Sequence, residues 1–502
     1  VRNMAGNPDR RLMAGVRCGH VFREYEDVRT RAGAVANGLA ALDVTAGDRV
    51  AIYLHNEIAF IEASIGVGML GAIPVPVNWH WQGAELAYLF DDSDSKVIFA
   101  HTSLISAAEA VAGDRTLIEV AQESKPPTGR HPVYEDWLAL QGPRSEPPSQ
   151  APLAMVYTSG TTGRPKGIIR APSTAAQAQG TAGLLLEAFG LAPGMRTLVA
   201  APMYHSAPNA HALVSAAAGI DLTIMASFDA EELLRLIEEH QIDHFQAVPT
   251  MFVRLLRLPD EVRQKYDVSS LKCVVHAAAP CPPEVKRRII DWFGPIVREY
   301  YGGTESAPCV ACDSADWLAH PGTVGRPIWD ADVRIYSEDG NLLPEGESGL
   351  IHLRPPSVVP NFTYHGNPDK RAAMEKDGYL DIGDVGYLDH DGFLFLNDRS
   401  TDMIISGGVN IYPAEIEACL LELGGVRDVA VFGVPDEEFG EAIAAHVDAT
   451  GLTEDEVREH VRTNLAHYKT PRIVVFDNDL PREDTGKLMK RKIRARYWPS
   501  TR

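Results

Sequence analysis

YTSGTTGRPKG, residues 157–167, follows directly on the strand-like run LAMV at 153–156. Glycines at 160, 163 and 167 let backbone amides approach an oxyanion closely, Thr158, Ser159, Thr161 and Thr162 offer hydroxyl donors, and Lys166 adds positive charge. A strand running into such a loop is a phosphate cradle by composition. It is not a Walker loop, because that motif needs GxxxxGK followed by Ser or Thr, and here Pro165 stands where the second glycine belongs. The bland alternative is a flexible polar loop, and the specificity of the eleven-residue string argues against it.

Upstream of this loop, strand-like and helix-like patches alternate: GDRVAIYL at 47–54, a helical stretch through Glu62, AIPVPV at 72–77, a helix around Glu85–Phe90 and KVIFA at 96–100. Downstream, TLVAAP, DHFQAVP and LKCVVHAAAP read as strands and DAEELLRLIEEH as a helix with acidic residues in its first turn. Alternation of this kind predicts a doubly wound α/β body. The Pro- and charge-rich segment 123–152 reads as a surface connection within it. From about Asp398 the texture changes to helix, strand, strand, helix, strand, which predicts a small α+β domain of about a hundred residues.

With 502 residues and 45% of them hydrophobic, the chain can bury a large core and a satellite. The 47 Lys+Arg against 68 Asp+Glu give a formal charge of -21, so the overall field repels nucleic acid and anionic membrane. Any anionic ligand must be held by local groups. The six cysteines are scattered without a disulfide framework, which suits a reducing compartment; Cys309 and Cys312 form a CxxC that lacks the further ligands of a zinc site. The stretch VRNMAGNPDRRLMAG has no continuous apolar run, and the most apolar segment, 58–77, is broken by Glu62, Pro74 and Pro76, so a cytoplasmic protein with no transmembrane segment is expected.

Six further strings follow the loop in order: MYHSAP (203–208), HAAAP (276–280), YYGGTES (300–306), YLDIGDVG (379–386), DRSTDMIISGGVNIYPAEIE (398–417) and PREDTGKLMKRK (481–492). Together they resemble the adenylate-forming superfamily of acyl- and aryl-CoA synthetases, luciferases and nonribosomal adenylation domains. The resemblance implies an α/β fold with a large multi-sheet N-terminal domain, residues 1–398, a hinge at 399–402, and a small mobile α+β domain, 403–502. It implies an ATP-dependent acid–thiol ligase that forms an acyl-adenylate and passes the acyl group to coenzyme A. A loading module for a carrier protein and a luciferase-like oxygenase are the rival activities. The resemblance leaves a homodimer open.

The same resemblance distributes the chemistry. Lys487 would bridge the substrate carboxylate and the α-phosphate, whereas Lys490, Arg491, Lys492, Arg494 and Arg496 read as solvated charge. Glu305 would hold Mg2+, Thr304 a phosphate oxygen, and Gly302 and Gly303 line the nucleotide. Tyr301 would stack on adenine, with Tyr300 as the adjacent alternative, against a wall of Ala278, Ala279 and Pro280. Asp384 would accept the ribose hydroxyls, with Arg399 beside it; Ile382 stands where relatives carry Thr. Ser400, Thr401 and Asp402 form the hinge, and Gly407 and Gly408 the edge of the CoA tunnel.

No carboxylate follows the aromatic in MYHSAP to pair an α-ammonium, so the acid is not an amino acid. Tyr204, Ala207, Ala277 and Gly302 are the expected acyl pocket, with glycine at 302 leaving room for an acid larger than propionate, and His205 is either a neighbour of the substrate carboxylate or a hydrogen-bonded structural histidine. The strings resemble the branch that contains bile-acid, medium- to long-chain and aryl-acid CoA ligases, so fatty, aromatic and steroid side-chain acids all remain open.

Overall fold

The computed structural model describes residues 14–122, 125–144, 152–158, 165–399, 402–406, 409–436, 439–483 and 488–498. Its largest sheet has fourteen strands. In one half, Gly15–Cys18, Asp221–Ile224, Arg196–Val199, His244–Ala247, Cys273–His276 and Val297–Gly303 run parallel to one another, with Val21–Glu24 added antiparallel to Gly15–Cys18 at the edge. At Val297–Gly303 the direction rule changes: Ala307–Cys312 pairs with it antiparallel, and the sheet continues antiparallel through Thr323–Pro327, Leu394–Arg399, Tyr379–Leu388, Gly349–Arg354 and Asp332–Tyr336. The YYGGTES string lies at this change of direction, at the carboxyl end of the last parallel strand, where open α/β sheets leave a crevice.

A second sheet, Ile73–Pro76, Arg49–Tyr53, Ser95–His101 and Thr116–Val120, is wholly parallel, as the upstream alternation predicted. A third is a small antiparallel unit of Phe362–Tyr364, Lys166–Arg170 and Val156–Thr158. The connecting helices follow their sequence signals. Ala230–His240 begins where the Asp229 carboxylate accepts the Glu232 amide at 2.8 Å, buries Leu233, Leu234, Leu236 and Ile237, and stops at Gln241 in the left-handed region. Helices Tyr25–Ala40 and Ile58–Met69 pack against each other in the main apolar cluster.

Segment 123–152 is more than a surface connection. Its described part contains a helix, Tyr134–Ala139, whose Tyr134, Trp137 and Leu138 are buried in the main cluster. Both aromatic rings lie edge-on to Phe99 at centroid distances of 5.9 Å, and the Tyr134 hydroxyl donates to the buried Glu62 carboxylate at 3.0 Å, where Arg31 also donates at 2.8 Å. Two aromatics at i and i+3 were enough to draw a proline-flanked stretch into the core.

The C-terminal part forms a five-stranded sheet of its own: Val409–Ile411, Ile404–Ser406, Gly440–Ala449 and Val426–Asp436, with Ile473–Phe476 parallel to Gly440–Ala449. Helices Pro413–Leu421 and Glu454–Asn464 supply Ile416, Leu420, Val457 and Val461 to one apolar cluster, and helix Lys490–Arg494 adds Ile493 to a second. The basic run at the end is not simply solvated. Lys490 is partly buried and pairs with Glu417 of helix Pro413–Leu421 at 2.9 Å, and Arg494 pairs with Glu441 of the C-terminal sheet at 2.9 Å. Among the described residues no helix is long and apolar enough to cross a membrane.

Trp137→Ala tests the docking of the connecting helix: it should destabilise the N-terminal body by about 3 kcal/mol, read as a lowered urea midpoint, whereas a true surface segment would lose less than about 0.5 kcal/mol.

Candidate active site

The strands on either side of the 157–167 string form an antiparallel pair, with Thr158 opposite Lys166 and Tyr157 opposite Gly167. The Tyr157 hydroxyl donates to Asp92 at 2.7 Å and the Tyr88 hydroxyl to the Pro165 carbonyl at 3.0 Å, tying both ends to helix Gly83–Ser93. Ser159, Gly160, Thr161, Thr162 and Gly163 lie outside the described residues, as do Ser400, Thr401, Gly407, Gly408 and Lys487.

Strand Phe362–Tyr364 lies on the other side of Lys166–Arg170, pairing Tyr364 with Ile168 and Phe362 with Arg170. This register sends the Tyr364 hydroxyl to Glu305 Oε1 at 2.9 Å and brings the Lys166 ammonium to 6.0 Å from the Tyr364 ring centre. Burial, and then the neighbouring Lys370 ammonium, push the Lys166 pKa down to about 8.

Arg170 is the structural hub. Its guanidinium donates to the carbonyls of Thr304 at 2.6 Å, Glu305 at 3.1 Å and Pro360 at 2.8 Å, which clamps the GGTES turn to both neighbouring strands. Burial lowers its pKa to about 10, and the nearby Glu305 charge opposes that shift. Inside the turn the Gly303 amide donates to Ser306 Oγ at 2.8 Å, and Ala307 takes a left-handed φ of 59°. The Thr304 hydroxyl shares a hydrogen bond of 2.9 Å with Ser206, the first residue of helix Ser206–Ala217. The partly positive end of that helix therefore faces the turn.

Tyr301, not Tyr300, faces Asp384: its hydroxyl donates to Asp384 Oδ2 at 2.7 Å, and Asp384 is only 8% exposed. Tyr300 points the opposite way, accepting a bond from Gln246 at 2.9 Å inside the apolar cluster. Asp384 sits directly opposite Arg399 in the strand pairing. Gly383 before it adopts φ 85°, a conformation that glycine takes at little cost. Ala278 adopts φ 74°, which an alanine holds only when its surroundings impose it, so backbone strain is stored in the Ala278–Pro280 segment. Ile382, in place of the expected threonine, packs into the apolar clusters flanking Tyr301 and Tyr364.

Ala207 and Ala277 pack into one cluster with Phe189, Val214 and Tyr300. Tyr204 is buried edge-on against Trp79 at 4.8 Å and lies 4.2 Å from the ring of His205, the residue that precedes helix Ser206–Ala217. The expectation that glycine at 302 leaves room for substrate is corrected by the backbone. A Cβ at Gly302 would stand 2.0 Å from the Ala307 carbonyl oxygen, so the space beside this glycine is filled by the adjacent strand. Glycine is required there by the close strand approach at the Tyr301/Gly302 register shift.

Of the expected hinge residues only Asp402 has a described side chain; it lies near Lys490 and contributes to keeping that ammonium protonated, after the larger contributions of Glu417 and Asp398 against burial. The Ala414 amide donates to Asp398 Oδ2 at 2.9 Å. Sequence reasoning missed Arg170, Ser206 and Tyr364. Ser206 lay within a quoted string, but GIIR and NFTYHG carry no pattern that marks an arginine or a tyrosine as part of a site.

The AMP-binding enzyme description matches residues 2–362, and the AMP-binding enzyme C-terminal domain matches residues 415–487. The chain is similar to feruloyl-CoA synthase of Amycolatopsis sp, 34% identical over 493 residues covering 96% of this chain and 95% of that protein. It is also similar to the long-chain-fatty-acid–CoA ligase FadD13 of Mycobacterium tuberculosis, 32% identical and covering 94% and 93%. Among solved structures, o-succinylbenzoate CoA synthetase from Bacillus subtilis in complex with its acyl-adenylate intermediate superposes with a TM-score of 0.82 at 26% identity, covering 96% and 95%.

Arg170→Met should cost about 3 kcal/mol, because three carbonyls lose a charged donor, and should disorder the Thr304–Glu305 turn. Chemical denaturation measures the first effect and amide hydrogen exchange at residues 303–306 the second; unchanged exchange in the variant would remove Arg170 from the role of clamp.

Proposed function

This chain belongs to the AMP-binding enzyme family, and we propose that it activates a carboxylic acid larger than propionate as its acyl-adenylate and hands the acyl group to coenzyme A. It is an ATP-dependent acid–CoA ligase, with ATP and CoA as substrates. The observation that carries the residue assignment is the convergence of three remote segments on Glu305: the base of the phosphate loop through Arg170, the Phe362–Tyr364 strand through Tyr364, and the Tyr301 strand itself. The relatives named for ferulate and long-chain fatty acids support a large acid.

In the first half-reaction an acid oxygen attacks the α-phosphorus; the bond from that phosphorus to the bridging oxygen breaks, and its electron pair leaves with pyrophosphate. Two anions must meet, so donors have to be in place where charge accumulates. Thr304 and the loop hydroxyls of Thr158, Ser159, Thr161 and Thr162 take phosphate oxygens, and Lys487 neutralises the carboxylate and α-phosphate together. Tyr301 and the Ala278–Pro280 wall hold adenine, and Asp384 with Arg399 holds the ribose. A hydrogen bond from Tyr301 orients the Asp384 carboxylate.

Glu305 would hold magnesium. Its Oε1 is oriented by the Tyr364 hydroxyl, and a Cβ on Gly303 would stand 3.1 Å from Oε2, so the glycine keeps that oxygen accessible. A hard carboxylate oxygen beside hydroxyls suits this ion, which supplies Lewis-acid neutralisation of phosphate charge when bound.

In the second half-reaction the CoA sulfur attacks the acyl carbonyl, the thiol gives up its proton, the bond to the phosphate oxygen breaks and AMP leaves. Rotation of the C-terminal domain about residues 399–402 withdraws Lys487 and brings Gly407 and Gly408 toward the pantetheine path. The large sheet ends with Leu394–Arg399 and the C-terminal sheet begins with Ile404–Ser406, which supports this boundary.

A panel of carboxylic acids, from short chains to aryl propenoates and steroid acids, should give ATP–pyrophosphate exchange only with the larger members. Lys487→Ala should slow that exchange by about a hundredfold or more and leave the reaction of a supplied acyl-adenylate with CoA largely intact. Equal loss of both half-reactions would contradict the division of labour, and exchange with no acid would contradict the function.

A further inference from the structure

Lys370 has no part in the assignments above. It lies on the short helix Pro368–Ala373, which follows directly on the Tyr364 strand, and its ammonium stands 5.1 Å from the centre of the Tyr364 ring. Lys166 stands 6.0 Å from the same centre. Two cations thus share one aromatic ring, and they are close enough for Lys370 to hold down the proton affinity of Lys166. The next residue, Arg371, is committed elsewhere: it pairs with Glu375 at 2.6 Å and donates to the Phe362 carbonyl at 3.2 Å. Among the described residues Lys370 has no carboxylate within ion-pair distance. The ring offers each ammonium a weak attraction, and two positive charges held this close together favour an anion that carries more than one charge.

The position of the pair identifies the anion. Lys166 closes the base of the phosphate loop, and Tyr364, which seats both ammoniums, spends its hydroxyl on Glu305. The nucleoside contacts, Tyr301 and Asp384, belong to other strands of the large sheet, and the pair belongs to the small antiparallel sheet and the helix after it. What remains for this side of Glu305 is the end of ATP beyond the α-phosphorus. We propose that Lys370 is a pyrophosphate-binding residue, acting with Lys166 across the Tyr364 ring to hold the β- and γ-phosphates of ATP and the pyrophosphate that leaves. This rests on the ligase reading above. When the bond between the α-phosphorus and the bridging oxygen breaks, the electron pair stays on pyrophosphate, and the added charge develops where the two ammoniums face it. The attraction therefore grows along the reaction coordinate.

The pair also accounts for the choice of residue type. A lysine carries a compact charge on a long stem, which can follow pyrophosphate from the bound to the departing position; a guanidinium committed to a carboxylate, as in Arg371, cannot.

The test uses the full chain, magnesium and inorganic pyrophosphate at pH 7. In titration calorimetry Lys370→Met should weaken pyrophosphate binding roughly tenfold, as expected for loss of one charged hydrogen bond, and Lys370→Arg should stay within about threefold of the parent. In ATP–pyrophosphate exchange the Met variant should raise the KM for pyrophosphate by the same factor with a smaller change in the KM for the acid. Reaction of supplied acyl-adenylate with CoA, in which pyrophosphate takes no part, reports whether the variant is folded. Equal pyrophosphate affinity in the parent and Lys370→Met overturns the assignment of Lys370 alone. Absence of acid-dependent exchange in the parent chain overturns the ligase reading and this inference with it.

Discussion

The Arg170 guanidinium is the constraint on which the rest of the site depends. One planar cation fastens the carbonyls of Thr304 and Glu305 to the strand that leads out of the phosphate loop, and a third bond fastens the segment before Phe362 to the same strand. The turn it holds joins Val297–Gly303 to the antiparallel Ala307–Cys312, and Thr304 and Glu305 lie just beyond the last ladder pair, Gly303 with Ala307. Without the clamp, their backbone carbonyls would lose this donor, and among the described residues only the bonds of Ser206 and Tyr364 to their side chains would tie them to other elements. With it, the carboxylate, the threonine hydroxyl and the end of helix Ser206–Ala217 keep fixed mutual positions, as a site that must stabilise developing charge requires.

The division of labour between domains follows from charge. Adenylation needs cations around a phosphate, and thioester formation needs one side of that phosphate cleared for a thiol. On the proposed function, the N-terminal body would carry the groups both steps use, Tyr301, Asp384, Thr304 and Glu305, on or beside strands of one large sheet. The groups needed once would belong to the part of the chain after residue 402, which has its own sheet and apolar core. A group moved as part of a rigid body keeps its local geometry, whereas a group moved on a loop would have to be ordered again in each cycle.

Much of this was legible in the sequence because local chemistry wrote it there. The alternation that predicted the parallel sheets and the helical period of DAEELLRLIEEH, with acidic residues in its first turn, each depend on residues a few positions apart. The readings that failed concern contacts between distant positions. The helix Tyr134–Ala139 enters the core because its aromatics meet Phe99, and nothing within a proline-rich stretch announces that partner. Lys490 looked like surface charge until Glu417 was brought beside it. Gly302 was read as empty space, when the adjacent strand occupies that space. Arg170 and Tyr364 escaped notice for the same reason: their partners lie 134 and 59 residues away, a separation that no local pattern encodes.

On the proposed function the adenylate forms at the Thr304–Glu305 turn, and a crystal structure with a non-reactive acyl-sulfamoyl analogue of the adenylate shows whether it does. The expected result is adenine against Tyr301, ribose on Asp384 and a sulfamoyl oxygen within hydrogen-bonding distance of Thr304. An analogue bound with its sulfamoyl group away from Thr304, or a nucleoside that leaves both Tyr301 and Asp384 uncontacted, would contradict it.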